Sequence, residues 1–256
     1  MKLLLAPLLI LIATLLSRRW GNSFGGWLIA LPLTSAPAAF LMAHEQGFQF
    51  ARTAALGMLL ATISQAMFVL AYAKASNTRG ALFSFISGTI AFSLSTLILS
   101  QLHISPLVSF IFVIMVITFS LRIQKDKRSN ETRSKSISLK WDLALRMIIA
   151  TLVVFLITES APIVGAHIAG LLSPYPILAA ILAVFSHLGQ GPVAARASLR
   201  GLLVGLFTPT IFFFIVVILI THIGFHSFIY AVIAALVFQY FSGRYLLDRT
   251  GRDAAA

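Results

Sequence analysis

Pro32, Thr34, Ser35 and Pro37 stand close together inside an apolar run, and Ser173, Pro174, Tyr175 and Pro176 do the same in a second run. Proline has no N–H to donate, and its ring clashes with the preceding turn. Two prolines with hydroxyl residues between or beside them therefore free several backbone groups. In hydrocarbon such groups are costly unless satisfied, so the break belongs against protein or a wet cavity. Half-helix N-termini exposed there carry positive partial charge and favour anions. The chemistry indicated is non-covalent binding of a small polar solute. A pair of ordinary proline kinks, with hydroxyls bonding back to freed carbonyls, is the plainer alternative. Occurrence of both breaks at matching places favours a site, with Thr34, Ser35, Pro37, Ser173, Tyr175 and Pro176 as its candidate lining.

A second polar pair accompanies the breaks. Ser64-Gln65 aligns with Thr208-Pro209, followed by Thr210. Gln65 and Thr208 are candidate lining, or else interhelical hydrogen-bonding residues. Arg52 and Arg196 are candidate access-side charges for an anion, or helix-end arginines on headgroups. His44 and His187 close two spans and could carry protons, although interfacial caps are the commoner use of such residues. Glu159 is either functional or a solvated helix end, and Asp142 suits a helix N-terminus. Histidines are dispersed, with only His222 and His226 one turn apart. No Walker A, dinucleotide-binding or nucleophile-elbow pattern occurs. Cysteine is absent. No catalytic residue, metal or cofactor is expected, and the chain does not read as an enzyme.

These residues need spans to hold them. The chain has 256 residues, 59% of them hydrophobic and 10% charged, against about 25% charged in a soluble domain. Spans of roughly 20 apolar residues are expected at 3–17, 25–43, 52–73, 80–101, 104–121, 141–158, 164–187, 200–221 and 224–243. The boundary between the fourth and fifth rests on Gln101, His103 and Ser105-Pro106. The apolar run after Met1 and Lys2 resembles a signal peptide but lacks a clear cleavage site, and reads as a retained first span. Of the 19 Lys and Arg residues, only Lys2 and Arg52 fall on one face. The other face is therefore cytoplasmic, with the N-terminus outside and the C-terminus inside.

The stretch from Gly26 to Pro37 lines up with that from Gly165 to Pro176, and Ala51-Arg52 and Gly57 line up with Ala195-Arg196 and Gly201. One extra span between the copies would invert the second. The expected fold class is an all-α membrane protein of about nine transmembrane helices. They are arranged 4+1+4 with inverted-topology repeats, interrupted in spans 2 and 7. Its parts are a first repeat (1–101), a connecting span and basic cytoplasmic linker (102–140), a second repeat (141–246) and a cytoplasmic tail (247–256). The net charge of +12 is mostly topology. The linker around Lys125 to Arg133 has no stacking aromatics, so it suits anionic headgroups and not nucleic acid. Asn130-Glu131-Thr132 is an accidental sequon on a cytoplasmic loop.

Ile29-Ala30 through Pro37 with His44, Arg52 and Gly57, and Ile168-Ala169 through Pro176 with His187, Arg196 and Gly201, resemble the GlpM family of small bacterial inner-membrane proteins of about four spans. Thr208-Pro209 looks like that family's later proline-bearing helix, whereas Ser64-Gln65 departs from it. The resemblance covers about 100 residues in each half and implies a fused pair of such units in a bacterial inner membrane. The family has no firmly assigned activity, and its name is linked with efficient exopolysaccharide production. Two functions are expected. One is a secondary transporter or facilitator of a small polar, anionic solute bound at the repeat interface. The other is a non-transporting subunit supporting assembly of envelope polysaccharide or lipid-linked precursors. The expected partners are the lipid bilayer, the solute, and either a second copy of the chain or an envelope-assembly protein.

Overall fold

The computed structural model describes residues 2–32, 35–102, 104–124, 148 and 175–254, with the backbone alone in 2–7, 9–10 and 245–254. Thr34, His103, the linker at 125–138, Asp142, Glu159, Ser173, Pro174 and most of the sixth span lie outside the described residues. The described residues form helices and no strand. These are α1 (Lys2–Trp20), α2 (Asn22–Ile29), α3 (Ser35–Gln46), α4 (Phe48–Ala75), α5 (Ala81–Leu99), α6 (Pro106–Ile123), α7 (Ile177–Gln190), α8 (Pro192–Gly205), α9 (Phe207–Ile223) and α10 (His226–Ala254).

Among the described residues, five stretches are long and apolar enough to cross a membrane: α4, α5, α6, the joined α8–α9 and the part of α10 up to Arg244. Burial sorts them. In α4 and in α8–α9, 61% of the apolar window is buried, against 22% in α5 and in α6. Leu82, Ile86, Ile90 and Leu94 make an exposed stripe at helical spacing along α5. Apolar faces of this length, turned outward, fit lipid and make the chain an all-helical, multi-pass membrane protein.

Local signals place the helix ends. Ser105 is extended and Pro106 opens α6, the position where a missing N–H costs nothing. Gly47 and Gly191 precede α4 and α8 in nearly the same left-handed backbone conformation, with φ 87° and ψ 169° in one and φ 89° and ψ 177° in the other. An L side chain is strained there. These starts correct two predicted boundaries. α4 begins at Phe48 and not at 52, and the eighth span begins at Pro192 and not at 200. Arg52, Arg196 and Arg200 thus sit within the first turns of their helices. The last helix also runs past the predicted 243, through 247–254. At Leu206 the helix loosens before Pro209, whose ring crowds the Gly205 carbonyl.

α4 lies antiparallel to α8–α9. Arg52, in the first turns of α4, donates from Nε to the Val217 carbonyl of α9 at 3.1 Å. At the opposite end Arg196 of α8 donates to Asn77, just past α4. About 33 Å of helix axis separates Arg52 from Lys74. Asn22 donates to Gln190 at 2.9 Å, and Arg200 donates to the Gln124 carbonyl after α6. These contacts gather the segments bearing Arg18, Arg19, Lys74, Arg79, Arg122, Arg196 and Arg200 at one end. At the other end the rings of Phe40 and Phe48 each stand 5.1 Å from Phe225.

α2 crosses α8 with their backbones in contact. A Cβ built on Gly26 would lie 1.7 Å from the Ser198 carbonyl oxygen, and one on Gly201 would lie 1.7 Å from that of Ser23. Gly205 faces Trp27 and Ala30. Small residues one turn apart let membrane helices approach this closely.

Candidate functional site

The break in the second span is real at the level of backbone. α2 ends at Ile29 and α3 starts at Ser35. The Ala30 and Leu31 N–H groups fall back on the Trp27 and Leu28 carbonyls at 3.3 and 3.2 Å, and Ala36 N–H donates to the Pro32 carbonyl at 2.9 Å. Ser35 is half-buried and Pro37 is exposed in the first turn of α3.

The seventh span is described from Tyr175 onward. Pro176 is buried, with φ −80° and ψ 58°. Ile177 N–H closes on the Tyr175 carbonyl at 2.8 Å, an inverse γ-turn. The Tyr175 ring stands edge-on to Phe92 and Phe68, with centroids 5.1 and 6.2 Å away. Its hydroxyl shares a 2.7 Å hydrogen bond with Thr89 of α5. Farther toward the basic end, the buried Tyr72 places its hydroxyl 3.3 Å from Nδ1 of His187. Phe92, Tyr175, Phe68, Tyr72 and His187 thus form a continuous line of rings.

The broken end of α2 is a hub between the two other elements. On one side Ile29 packs against Ile181 of α7, as do Ile177, Leu178 and Phe185 of that helix. α2 and α7 therefore adjoin near the end of α2, and the described contact between them is apolar. On the other side the Gln239 Nε2 donates to the Trp27 carbonyl at 3.2 Å. Thr208 donates to Gln239 Oε1, the Trp27 indole N–H donates to Ser242 at 3.0 Å, and Ser242 donates to the Gln239 carbonyl at 3.1 Å. Thr208, Gln239, Ser242 and Trp27 are all buried. The Gln239 amide thus supplies a donor to a carbonyl near the end of the interrupted helix.

Of the candidate lining, Tyr175 and Pro176 form the bend that leads into α7. Thr208 reaches that end through Gln239 and spends its hydroxyl there. Gln65 is half-buried on α4 and carries an interaction of its own. Arg52 and Arg196 sit at opposite ends of α4, each hydrogen-bonded to a neighbouring helix or its flank. His44 is exposed at the end of α3, and only His187 of that pair joins the ring line. Thr34 and Ser173 lie outside the described residues. Thr89, Trp27 and Gln239 were missed by sequence reasoning. Gln239, an amide in the apolar run 224–243, was the readable signal among them. No family model matches the chain, and no curated protein and no solved structure matches it.

Proposed function

We propose that the chain is a secondary transporter or facilitator, moving a small polar, anionic solute through a site between two inverted repeats. The observation that carries this reading is the break after Ile29, where the end of α2 packs against Ile181 of α7 inside a bundle of apolar helices. Interrupted helices of this kind are where transporters bind solute. Three further features support the inverted repeat. Gly47 and Gly191 share one backbone conformation, each five residues before an arginine. Arg52 and Arg196 contact the antiparallel partner at opposite ends, as a two-fold axis in the membrane plane would arrange them. α5 packs on α4 as α10 packs on α9. The basic end is assigned to the cytoplasm by the positive-inside rule. No nucleotide-binding motif is present in the sequence, so a gradient supplies the drive.

In liposomes preloaded with labelled anions, the protein is expected to release at least one faster than protein-free vesicles do. The double variant Thr34→Val/Ser173→Ala, still inserted, is expected to lose that release. Vesicles no leakier than controls to any anionic or neutral compound would remove the transport reading.

The apolar contact of Ile29 with Ile181 favours the second reading, a non-transporting subunit in envelope-polymer assembly. The resemblance of each half to the GlpM family accords with it. Co-purification of a polymer-assembly protein, together with absent flux, is the result that selects it.

A further inference from the structure

α6 has two unlike faces. Ser109, Val113, Ile117 and Ser120 are buried, and the helix packs on α4, α8 and α9. On its other side Ile111, Met115 and Phe119 follow one another at one-turn spacing and are exposed. Arg122 continues that stripe one turn later and is exposed as well. A row of apolar side chains turned toward lipid thus ends in a cation.

The stripe borders a groove of about 500 Å³, with Phe112, Met115, Val116 and Phe119 on its described wall and Arg122 at its end. That volume falls in the range of small-molecule sites, about 300–1,000 Å³. From Phe112 to Arg122 the helix rises about 15 Å. One leaflet of a hydrocarbon core ~30 Å thick has the same depth. The groove therefore runs from mid-bilayer to the headgroups of the leaflet at the basic end. Arg200 donates to the Gln124 carbonyl, which brings a second guanidinium to that end of α6. The helix itself holds no acid.

We propose that this groove is a site for an anionic phospholipid of that leaflet. One acyl chain lies along Phe112, Met115, Val116 and Phe119, and the phosphate meets Arg122. Basic side chains at headgroup level attract anionic lipid in general. The groove adds shape, because a chain seated in it touches protein on more than one side. A zwitterionic headgroup offers the same phosphate but brings its own cation toward the two guanidinium groups. The site is independent of solute transport and stands whether or not the chain moves a solute.

The test uses the purified full chain in detergent, titrated with phosphatidylglycerol or with phosphatidylcholine of the same acyl chains while its melting temperature is followed. Phosphatidylglycerol is expected to raise the melting temperature further at equal concentration, by mass action. Without lipid, Arg122→Gln is expected to melt as the natural protein does, because the side chain is exposed. With lipid, it is expected to need roughly fivefold more phosphatidylglycerol for the same rise. Arg122→Lys retains the charge and is expected to retain the preference. Met115→Trp fills the groove and is expected to weaken the response to both lipids. Glycerol phosphate, an anionic headgroup without chains, is expected to raise nothing. An equal rise with both lipids, or a preference kept in Arg122→Gln, would overturn the proposal. A rise with glycerol phosphate alone would make this a site for a free anion and overturn it too. So would an unweakened response in Met115→Trp. A dimer of the natural chain that Met115→Trp splits, read by light scattering, would give the face to a second copy and end the proposal.

Discussion

Replacing Gly201 by alanine tests the crossing of α2 and α8 directly. The added Cβ would lie 1.7 Å from the Ser23 carbonyl oxygen, with the carbonyl carbon at 2.5 Å and Cα at 2.8 Å. A carbon and a carbonyl oxygen rest about 3.3 Å apart at closest, so the two backbones must part by roughly 1.6 Å. The obstacle is backbone and cannot swing aside. A gap of 0.5–1 Å already forfeits about a quarter to a half of each contact along a packed face. Overpacking of this kind costs about 1–3 kcal/mol, and the geometry places Gly201→Ala at the upper end, about 3 kcal/mol. Gly57 is the matching position in the first half of the chain, and a Cβ there meets nothing within 4 Å. Gly57→Ala is therefore expected to be neutral or to stabilise by up to about 1 kcal/mol through helix propensity. Unfolding free energies of the two variants in the same bicelles supply the comparison. Equal stability of Gly201→Ala and Gly57→Ala would refute the backbone contact and with it the placement of α2 on α8.

Thr208→Val and Gln239→Leu are expected to destabilise singly and to couple by about 0.6 kcal/mol, at most about 1.7, as interhelical hydrogen bonds in membranes do. A double-mutant cycle returning zero coupling would separate Thr208 from Gln239. The linker at 125–138 is expected to be cut by protease in inside-out vesicles alone, and cutting in intact right-side-out vesicles would reverse the assigned orientation.

The parts of this fold that were legible were those written locally. Pro32 and Pro37 announced the interruption after Ile29, and Ser105-Pro106 announced the start of α6. The starts of α4 and α8 were also written, in Gly47 and in Gly191-Pro192, but Arg52, Arg196 and Arg200 drew the predicted boundaries inward. A charged side chain reads as the edge of the hydrocarbon, yet Arg52 and Arg196 find hydrogen bonds across the bundle. The Gly201–Gly205 spacing was a signal of close helix crossing left unread, and nothing local named α2 as its partner. Of the candidate site, Tyr175 and Pro176 could be read from proline chemistry. Thr89 could not, because its pairing with Tyr175 depends on how α5 stands beside the bend. Trp27 and Gln239 are 212 residues apart, and only the packed bundle makes one the partner of the other.

The contact between α2 and its distant partners also has a consequence for biosynthesis. The indole N–H of Trp27 is satisfied by Ser242, 215 residues later, and the glycine face of α2 by α8. A nascent chain holding only its first helices leaves that face and that donor turned to lipid. Completion of these contacts then waits for the synthesis of α10. Chains cut short before it would carry an unpaired Trp27 indole N–H, a feature by which quality-control machinery in the membrane tells an unfinished copy from a finished one.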